Sequence, residues 1–334
     1  MNKNENEKKD LELTNKTNLP EPIFEVFGIL YNSHPKPMDS KYYTTELLKS
    51  PKEVILNREH YGEKIDDVQE VMAAIFGTAV HSGIENKLKE LYPDIVEQRW
   101  EAPLEVETDF GTMPVLISGA IDLLWMTQDG NYHIIDWKST TSTKVDMERD
   151  GREDSWKKQG YIYAWLLEKN TGVRPVDIIM CALKKDVKGK PDFSDPKTWM
   201  ADPVVFPTTD REFEKTLLDE YRGKLKDILH HAISNEEPRQ CTAEERWQKP
   251  PKFAVKLPKN DKATRKFDTV AEAQNFIMEK GWIGKGYQIL EIPSEPTNCC
   301  YWCNGRNWCE QGKKAVEAFN AINPKTYNDK GELV

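Results

Sequence analysis

Asp136 and Lys138 sit in the run His133-Ile134-Ile135-Asp136-Trp137-Lys138-Ser139. The run reads as a short, mostly apolar strand, and side chains at i and i+2 share one face of a strand. An acid and a lysine side by side in such a strand are expensive to desolvate unless they bind something. Asp122 lies fourteen residues earlier, in a second apolar run from Val115 to Trp125. Two acids and a lysine on neighbouring strands make a site for a hard cation with a cationic partner, which is equipment for cutting phosphodiesters.

Several elements must hold these groups in place. The pattern predicts a helix over Thr44 to Leu56 and a longer one from Ile65 to Leu91. In the second, His81, Ile84 and Leu88 share one face, and Gly77 and Gly83 are read as sites of close packing. Strands are predicted over Arg99 to Val106, Val115 to Met126 and Tyr132 to Trp137. The break Gln128-Asp129-Gly130-Asn131 joins the last two as a hairpin. A helix over Ser155 to Lys169 ends before Gly172, a strand follows over Val176 to Leu183, and a long helix spans Asp210 to Ser234. This order predicts an α/β fold, with a central mixed β-sheet flanked by helices.

Residues 1–40 read as a flexible or peripheral segment, with Pro20, Pro22, Pro35 and Pro37 discouraging regular structure. Residues 41–235 form the expected core. The character changes near Glu236-Glu237-Pro238, and residues 236–334 read as a small cysteine-containing C-terminal subdomain. It is expected to hold a basic hairpin, a helix over Val270 to Lys280 and a strand over Tyr287 to Ile292.

Composition narrows the possibilities. The chain has 334 residues, 38% hydrophobic and 31% charged, which suits a soluble globular protein. No apolar stretch approaches the ~18 residues that span a bilayer. Met1 to Asn18 is rich in Lys, Glu and Asn and lacks the apolar core of a signal peptide. A reducing, cytoplasmic setting is therefore expected. A net charge of −9 argues against a surface that embraces nucleic acid everywhere. Lys249 to Lys266 nevertheless holds seven Lys/Arg against one acid, with Trp247, Phe253 and Phe267 in or beside it. Such a stretch can track a nucleic-acid backbone and stack bases, or it can be a solvated hairpin.

Four motifs in order resemble a known family. Gly77-Thr78-Ala79-Val80-His81 is similar to the GxxxH helix motif of RecB-like nucleases in the PD-(D/E)xK superfamily. Gly119-Ala120-Ile121-Asp122 resembles their GxxD strand, Asp136-Trp137-Lys138-Ser139 their D-x-K strand, and Gln159-Gly160-Tyr161-Ile162-Tyr163 their QxxxY helix. The resemblance covers residues 75–185. By pattern it is nearest to phage recombination exonucleases and to CRISPR-associated and AddB-type iron–sulfur nucleases.

The resemblance implies a restriction-endonuclease-like core and a role for each residue. Asp122 and Asp136 would bind Mg²⁺ or Mn²⁺, with His81 as a nitrogen ligand and the Trp137 carbonyl completing the shell. Lys138 would activate water or stabilise charge on the phosphate. Gln159 and Tyr163, at i and i+4 on one helix face, would orient the substrate or the lysine. A glutamate from the preceding strand would join them, with Glu101 as the first candidate and Glu105 as the alternative.

The six cysteines are Cys181, Cys241, Cys299, Cys300, Cys303 and Cys309, and four of them fall within eleven residues. In a cytosolic chain that density points to metal and not to disulfides. Cys300, Cys303 and Cys309, or Cys299 in place of Cys300, resemble the C-terminal triplet of the family's iron–sulfur members. Cys241 would be the fourth ligand to a [4Fe–4S] cluster. No cysteine precedes His81, where the CRISPR-associated and AddB-type members take their first. Structural Zn²⁺ on the same thiolates is the alternative. Cys181 reads as a buried small hydrophobe.

The resemblance thus implies a metal-dependent DNA exonuclease of recombination, repair or phage DNA metabolism. Its substrate would be single-stranded or end-resected DNA, and a single-strand annealing or recombination protein would be its partner. A non-catalytic nucleic-acid-binding scaffold with iron–sulfur or zinc is the alternative. A zinc deaminase is excluded, because His81-Ser82-Gly83 lacks the glutamate of H-x-E.

Overall fold

The computed structural model describes residues 10–33, 36–38, 40–248, 250–260, 262–293, 300, 303–321 and 326–329. The chain divides into two compact units, Met1–Glu237 and Pro238–Val334.

In the first unit the elements run β1 (Glu12–Thr14), α1 (Glu21–Tyr31), β2 (Lys41–Tyr43), α2 (Pro51–Glu59), β3 (Ile65–Asp67), α3 (Val68–Leu91) and β4 (Val96–Thr108). They continue with β5 (Gly111–Met126), β6 (Tyr132–Thr140), α4 (Ser142–Arg149), α5 (Ser155–Thr171), β7 (Asp177–Lys184), β8 (Ala201–Pro207) and α6 (Arg211–Ser234). The main sheet is ordered β2-β5-β6-β7-β8, with β4 also paired to β5. β2 and β5 are parallel, as are β6 and β7, and the other pairs are antiparallel. The α/β class with a central mixed sheet is therefore as the pattern predicts.

Helices lie on both faces. Along β6 side chains alternate between faces. Ser139 lies under α3, 4.0 Å from where a Cβ at Gly77 would sit. Ile134 points the other way, is fully buried, and pairs with Ile178, which packs under α5 at Gly160. Ten of the seventeen residues of α5 are buried, so this helix is apolar nearly all round, as a central helix must be. Gly172, with φ +73°, ends it in the left-handed conformation.

The tight glycines are not the ones expected. A Cβ at Gly77 would meet one atom at 4.0 Å, and one at Gly83 would meet nothing. A Cβ at Gly160 would instead come within 2.7 Å of Ile178, and one at Gly119 within 2.8 Å of Thr44 and Tyr163. Gly160→Ala is expected to cost about 1–3 kcal/mol, the usual penalty for overpacking. Denaturant unfolding that leaves the midpoint unmoved would contradict this packing.

The N-terminal segment departs from expectation. β1 pairs in parallel with β3, and α1 packs on α3. Asp67 is the tie: it caps α3 and also accepts from the Thr14 hydroxyl at 2.9 Å and the Lys16 N–H at 3.0 Å. The same pairing delays α3 from Ile65 to Val68. The helix expected from Thr44 starts only at Pro51, because Ser50 accepts the Glu53 N–H and Pro51 needs no partner at the first turn. Short elements that patterning missed are β2, α4 and β8.

The second unit holds a four-stranded antiparallel sheet of β9 (Lys252–Lys256), β10 (Arg265–Phe267), β11 (Gln288–Ile292) and β12 (Thr326–Tyr327). Among the described residues its helices include α7 (Val270–Glu279) and α8 (Glu310–Asn320). Within the basic stretch, β9 and β10 pair antiparallel. Val255, Ala273, Ile277 and Ile289 form a small core between the sheet and α7. Among the described residues, no helix is long and apolar enough to cross a membrane.

Candidate functional site

Three strands and one helix converge on the residues singled out. Glu97 on β4 falls between the rungs Val96↔Leu123 and Gln98↔Ile121, so it faces Asp122 along the ladder. Asp136 lies one residue past the Leu123↔Ile135 rung and so comes beside Asp122 on the next strand. His81 approaches from α3. Its Nε2–H donates to Glu97 Oε1 at 2.9 Å, and Nε2 lies 3.7 Å from Asp122 Oδ1. Ligand atoms of His81, Glu97 and Asp122 all lie within 4.8 Å of one another.

Asp122 is held by its second oxygen, which accepts the Trp137 N–H at 2.9 Å. Lys138 Nζ stands 2.6 Å from Asp136 Oδ2 as an ion pair, yet that buried oxygen has no hydrogen-bond donor aligned on it. The Lys138 ammonium is the counter-charge that compensates this buried carboxylate. On the helix behind, the Gln159 amide donates to the Tyr163 hydroxyl at 2.7 Å, and both residues are buried.

The electrostatics follow from this crowding. Burial, and then the neighbouring Asp136 carboxylate, push Asp122 up to about 8. His81 is raised, chiefly by its bond to Glu97 and then by Asp122. Tyr163 is raised well above its ordinary value by burial, with Asp136 and Asp122 adding to it. The raised Asp122 has a definite sign. In the metal-free protein its contribution to stability is complete below the unfolded value of ~3.9 and is lost as pH rises through about 8. A divalent ion must displace its proton, and His81's proton acts in the same direction. Mn²⁺ affinity is therefore expected to climb from pH 6 to about 8 and then level off. Calorimetric titration showing no pH dependence in that window would contradict this.

The sequence-predicted residues divide clearly. His81, Asp122, Asp136 and Lys138 are brought together, with Gln159 and Tyr163 adjoining. Trp137 contributes its backbone N–H to Asp122, where its carbonyl was expected to act. Glu101 is not brought in: its carboxylate binds Lys41 Nζ at 2.6 Å on the rung opposite Ser118. Glu105 lies farther along the same strand, opposite Pro114. Four residues of strand separate Glu101 from Glu97, about 13 Å.

Glu97 is the residue that sequence reading missed. Its φ is +53°, a left-handed conformation uncommon for a non-glycine residue and characteristic of functional sites. Glu97, Glu101 and Glu105 share strand parity, so alternation alone could not choose among them. The predicted strand began at Arg99, which left Glu97 outside it.

The scan against protein-family models matches residues 85–310 to the "PD-(D/E)XK nuclease superfamily", about two-thirds of the chain. The chain belongs to the PD-(D/E)XK nuclease superfamily. The matched span of this nuclease contains Glu97, Asp122, Asp136, Lys138, Gln159 and Tyr163, and it begins just after His81. No curated protein matches the sequence. Among solved structures, one described as "Crystal structure of SSO0001" is similar at 17% identity. That likeness covers 68% of this chain and 91% of the other, with a TM-score of 0.43, too slight to bear on function.

In the nuclease's second unit, the Cys241 backbone is clamped by the Gln311 amide through two bonds of 2.8 Å. Cys300 and Cys309 both approach the start of α8, their sulfurs 3.7 and 3.6 Å from where a Gly312 Cβ would sit. Burial raises the Cys300 thiol, and Cys309 and Cys241 add to it. Cys303 is half-buried on the intervening turn. Cys299 lies outside the described residues. Cys181 is half-buried, less enclosed than expected.

Proposed function

We propose that this nuclease is a divalent-metal-dependent DNA exonuclease, with His81, Glu97, Asp122 and Asp136 holding Mg²⁺ or Mn²⁺. The observation that carries the reading is the cluster of His81, Glu97 and Asp122 ligand atoms beside the Asp136–Lys138 pair. Carboxylates suit Mg²⁺ and Mn²⁺, and the imidazole shifts the balance towards Mn²⁺. A bound ion would supply positive charge to the reacting phosphate and ease deprotonation of the attacking water.

The chain's own groups do the rest. Asp122 is fixed by the Trp137 N–H, so its free oxygen presents to His81's side of the site. The Lys138 ammonium would donate hydrogen bonds to a phosphate oxygen or orient the attacking water, and its partner Asp136 keeps it placed. Gln159 and Tyr163 form a buried floor near both acids.

Cys241, Cys300, Cys303 and Cys309 are proposed to hold a [4Fe–4S] cluster. The Cys300-Cys303-Cys309 spacing, which resembles that of the family's iron–sulfur members, favours the cluster over a single Zn²⁺ on the same thiolates. Its role would be to staple the C-terminal segment. The basic β9–β10 hairpin would lie along the DNA backbone. A setting in recombination, repair or phage DNA metabolism, with a single-strand annealing partner in the cytoplasm, accords with end processing.

The test uses linear DNA labelled at one end or internally, with Mn²⁺. Stepwise release of mononucleotides from ends, with closed circles untouched, supports an exonuclease. Cutting of closed circles overturns that assignment. In anaerobically purified protein, broad visible absorbance with stoichiometric iron supports the cluster, and a colourless zinc-loaded protein overturns it.

A further inference from the structure

We propose that the segment joining β7 to β8, residues 185–200, is a platform for the unpaired end of a DNA strand. The inference rests on the nuclease reading and names the form of substrate that the site receives. β6 and β7 run in parallel, with Lys138 opposite Ala182 and Thr140 opposite Lys184. The segment therefore leaves the sheet about 7 Å beyond Lys138, and Lys185 N–H donates to Thr140 O at 2.9 Å. It emerges at the same end of the sheet as the site.

The segment is built to hold its shape. From beneath, the Lys184 ammonium, 1% exposed, donates to Pro196 O at 2.8 Å and Asp202 Oδ2 at 2.9 Å. Its aspartates are turned onto backbone. Asp186 accepts from Ser142 N–H and hydroxyl, Asp192 from Ser194 N–H and hydroxyl, and Asp195 from Lys197 N–H. The Trp199 indole donates to Asp192 O.

The outward groups have a different character. Lys185, Lys188, Lys190 and Lys197 are exposed, and none forms an ion pair among the described residues. Phe193 is 83% exposed and Met200 64%. With Pro191, Trp199 and Ala201 they line a shallow cleft. The Lys185 ammonium also stands 5.5 Å from the ring centre of Phe76, an exposed residue of α3 next to Gly77.

Leaving Phe193 in water forgoes about 1.5–3 kcal/mol of burial, so the ring is poorly explained as part of the fold. Rings beside unpaired ammonium groups match the two faces an unpaired strand offers, bare bases and phosphates. A duplex keeps its base faces stacked and offers the ring nothing. A protein partner would use the apolar cleft but has no need of four lysines around it.

The experiment uses the full chain and a labelled oligothymidylate, with a blunt duplex of equal length as control, both in chelator so that nothing is cut. Phe193→Ala is expected to weaken the unpaired strand about fivefold or more, the loss of one stacked base, and to leave the duplex unchanged. Lys188→Gln with Lys190→Gln is expected to lower the salt slope by about 1.4. Unchanged oligothymidylate affinity in Phe193→Ala overturns the platform. So does a dimer that Phe193→Ala converts to monomer without loss of binding, which would assign the ring to a second copy. Cutting is then measured with Mn²⁺. A wild-type chain that binds through Phe193 but cuts nothing overturns the nuclease reading and leaves the platform standing. A chain that cuts, with Phe193→Ala binding normally, overturns the platform alone.

Discussion

Lys138→Ala is expected to lower the cleavage rate by about 10²–10⁴, the range for losing a positioned proton donor or a charge-stabilising group. Affinity for DNA measured in chelator should stay within about threefold, since one phosphate-facing ammonium among many contributes little to binding. The reason lies in the pair itself. Asp136 is 1% exposed, and its Oδ2 is 2.6 Å from Lys138 Nζ. The ammonium is therefore fixed beside the acids and is no loose surface lysine. Circular dichroism and a melting curve must accompany the assay, because the substitution leaves Asp136 buried without its counter-charge. A folded variant whose binding and cutting fall together would show that Lys138 only holds the strand. A folded variant that cuts normally would remove it from the chemistry.

Glu97→Gln should lower Mn²⁺ affinity by at least about 10–100-fold, the loss already seen when mere supporting groups around a metal are removed. Glu101→Gln should leave it unchanged. The two residues share a strand, a parity and a chemistry, and differ in rung. Glu97 meets His81 and Asp122, whereas Glu101 meets Lys41. The amide keeps the size and a hydrogen bond to His81, so the pair of variants isolates the charge. Calorimetry with Mn²⁺ reads both. Equal losses, or a larger loss in Glu101→Gln, would place the cation elsewhere on the strand.

That contrast shows how far the sequence could be read. The spacing of Asp136 and Lys138, and the helical face carrying His81, were legible because strand and helix periods fix which side chains share a face. Asp122 and Asp136 met because a recognisable turn at Asp129-Gly130 set their hairpin. Glu97 was not legible, because no local signal marks a left-handed glutamate at the edge of a strand. Its place depends on register against β5, a tertiary property. The packing glycines were misplaced for a similar reason: whether a glycine is tight depends on the strand that crosses it, Ile178 for Gly160 and hardly anything for Gly77. β1 and β3 were missed because a three-residue strand carries too little periodicity, and Asp67's bonds to Thr14 and Lys16 span some fifty residues.

The central claim is that one divalent ion is held between α3 and strands β4 to β6. Crystals grown with Mn²⁺ test it most directly, using data collected at the manganese absorption edge. The account predicts an anomalous peak within coordination distance of His81 Nε2 and of carboxylate oxygens of Glu97 and Asp122, beside Asp136. A peak that excludes His81 and Asp122, or Mn²⁺ held only at other acids, would contradict it.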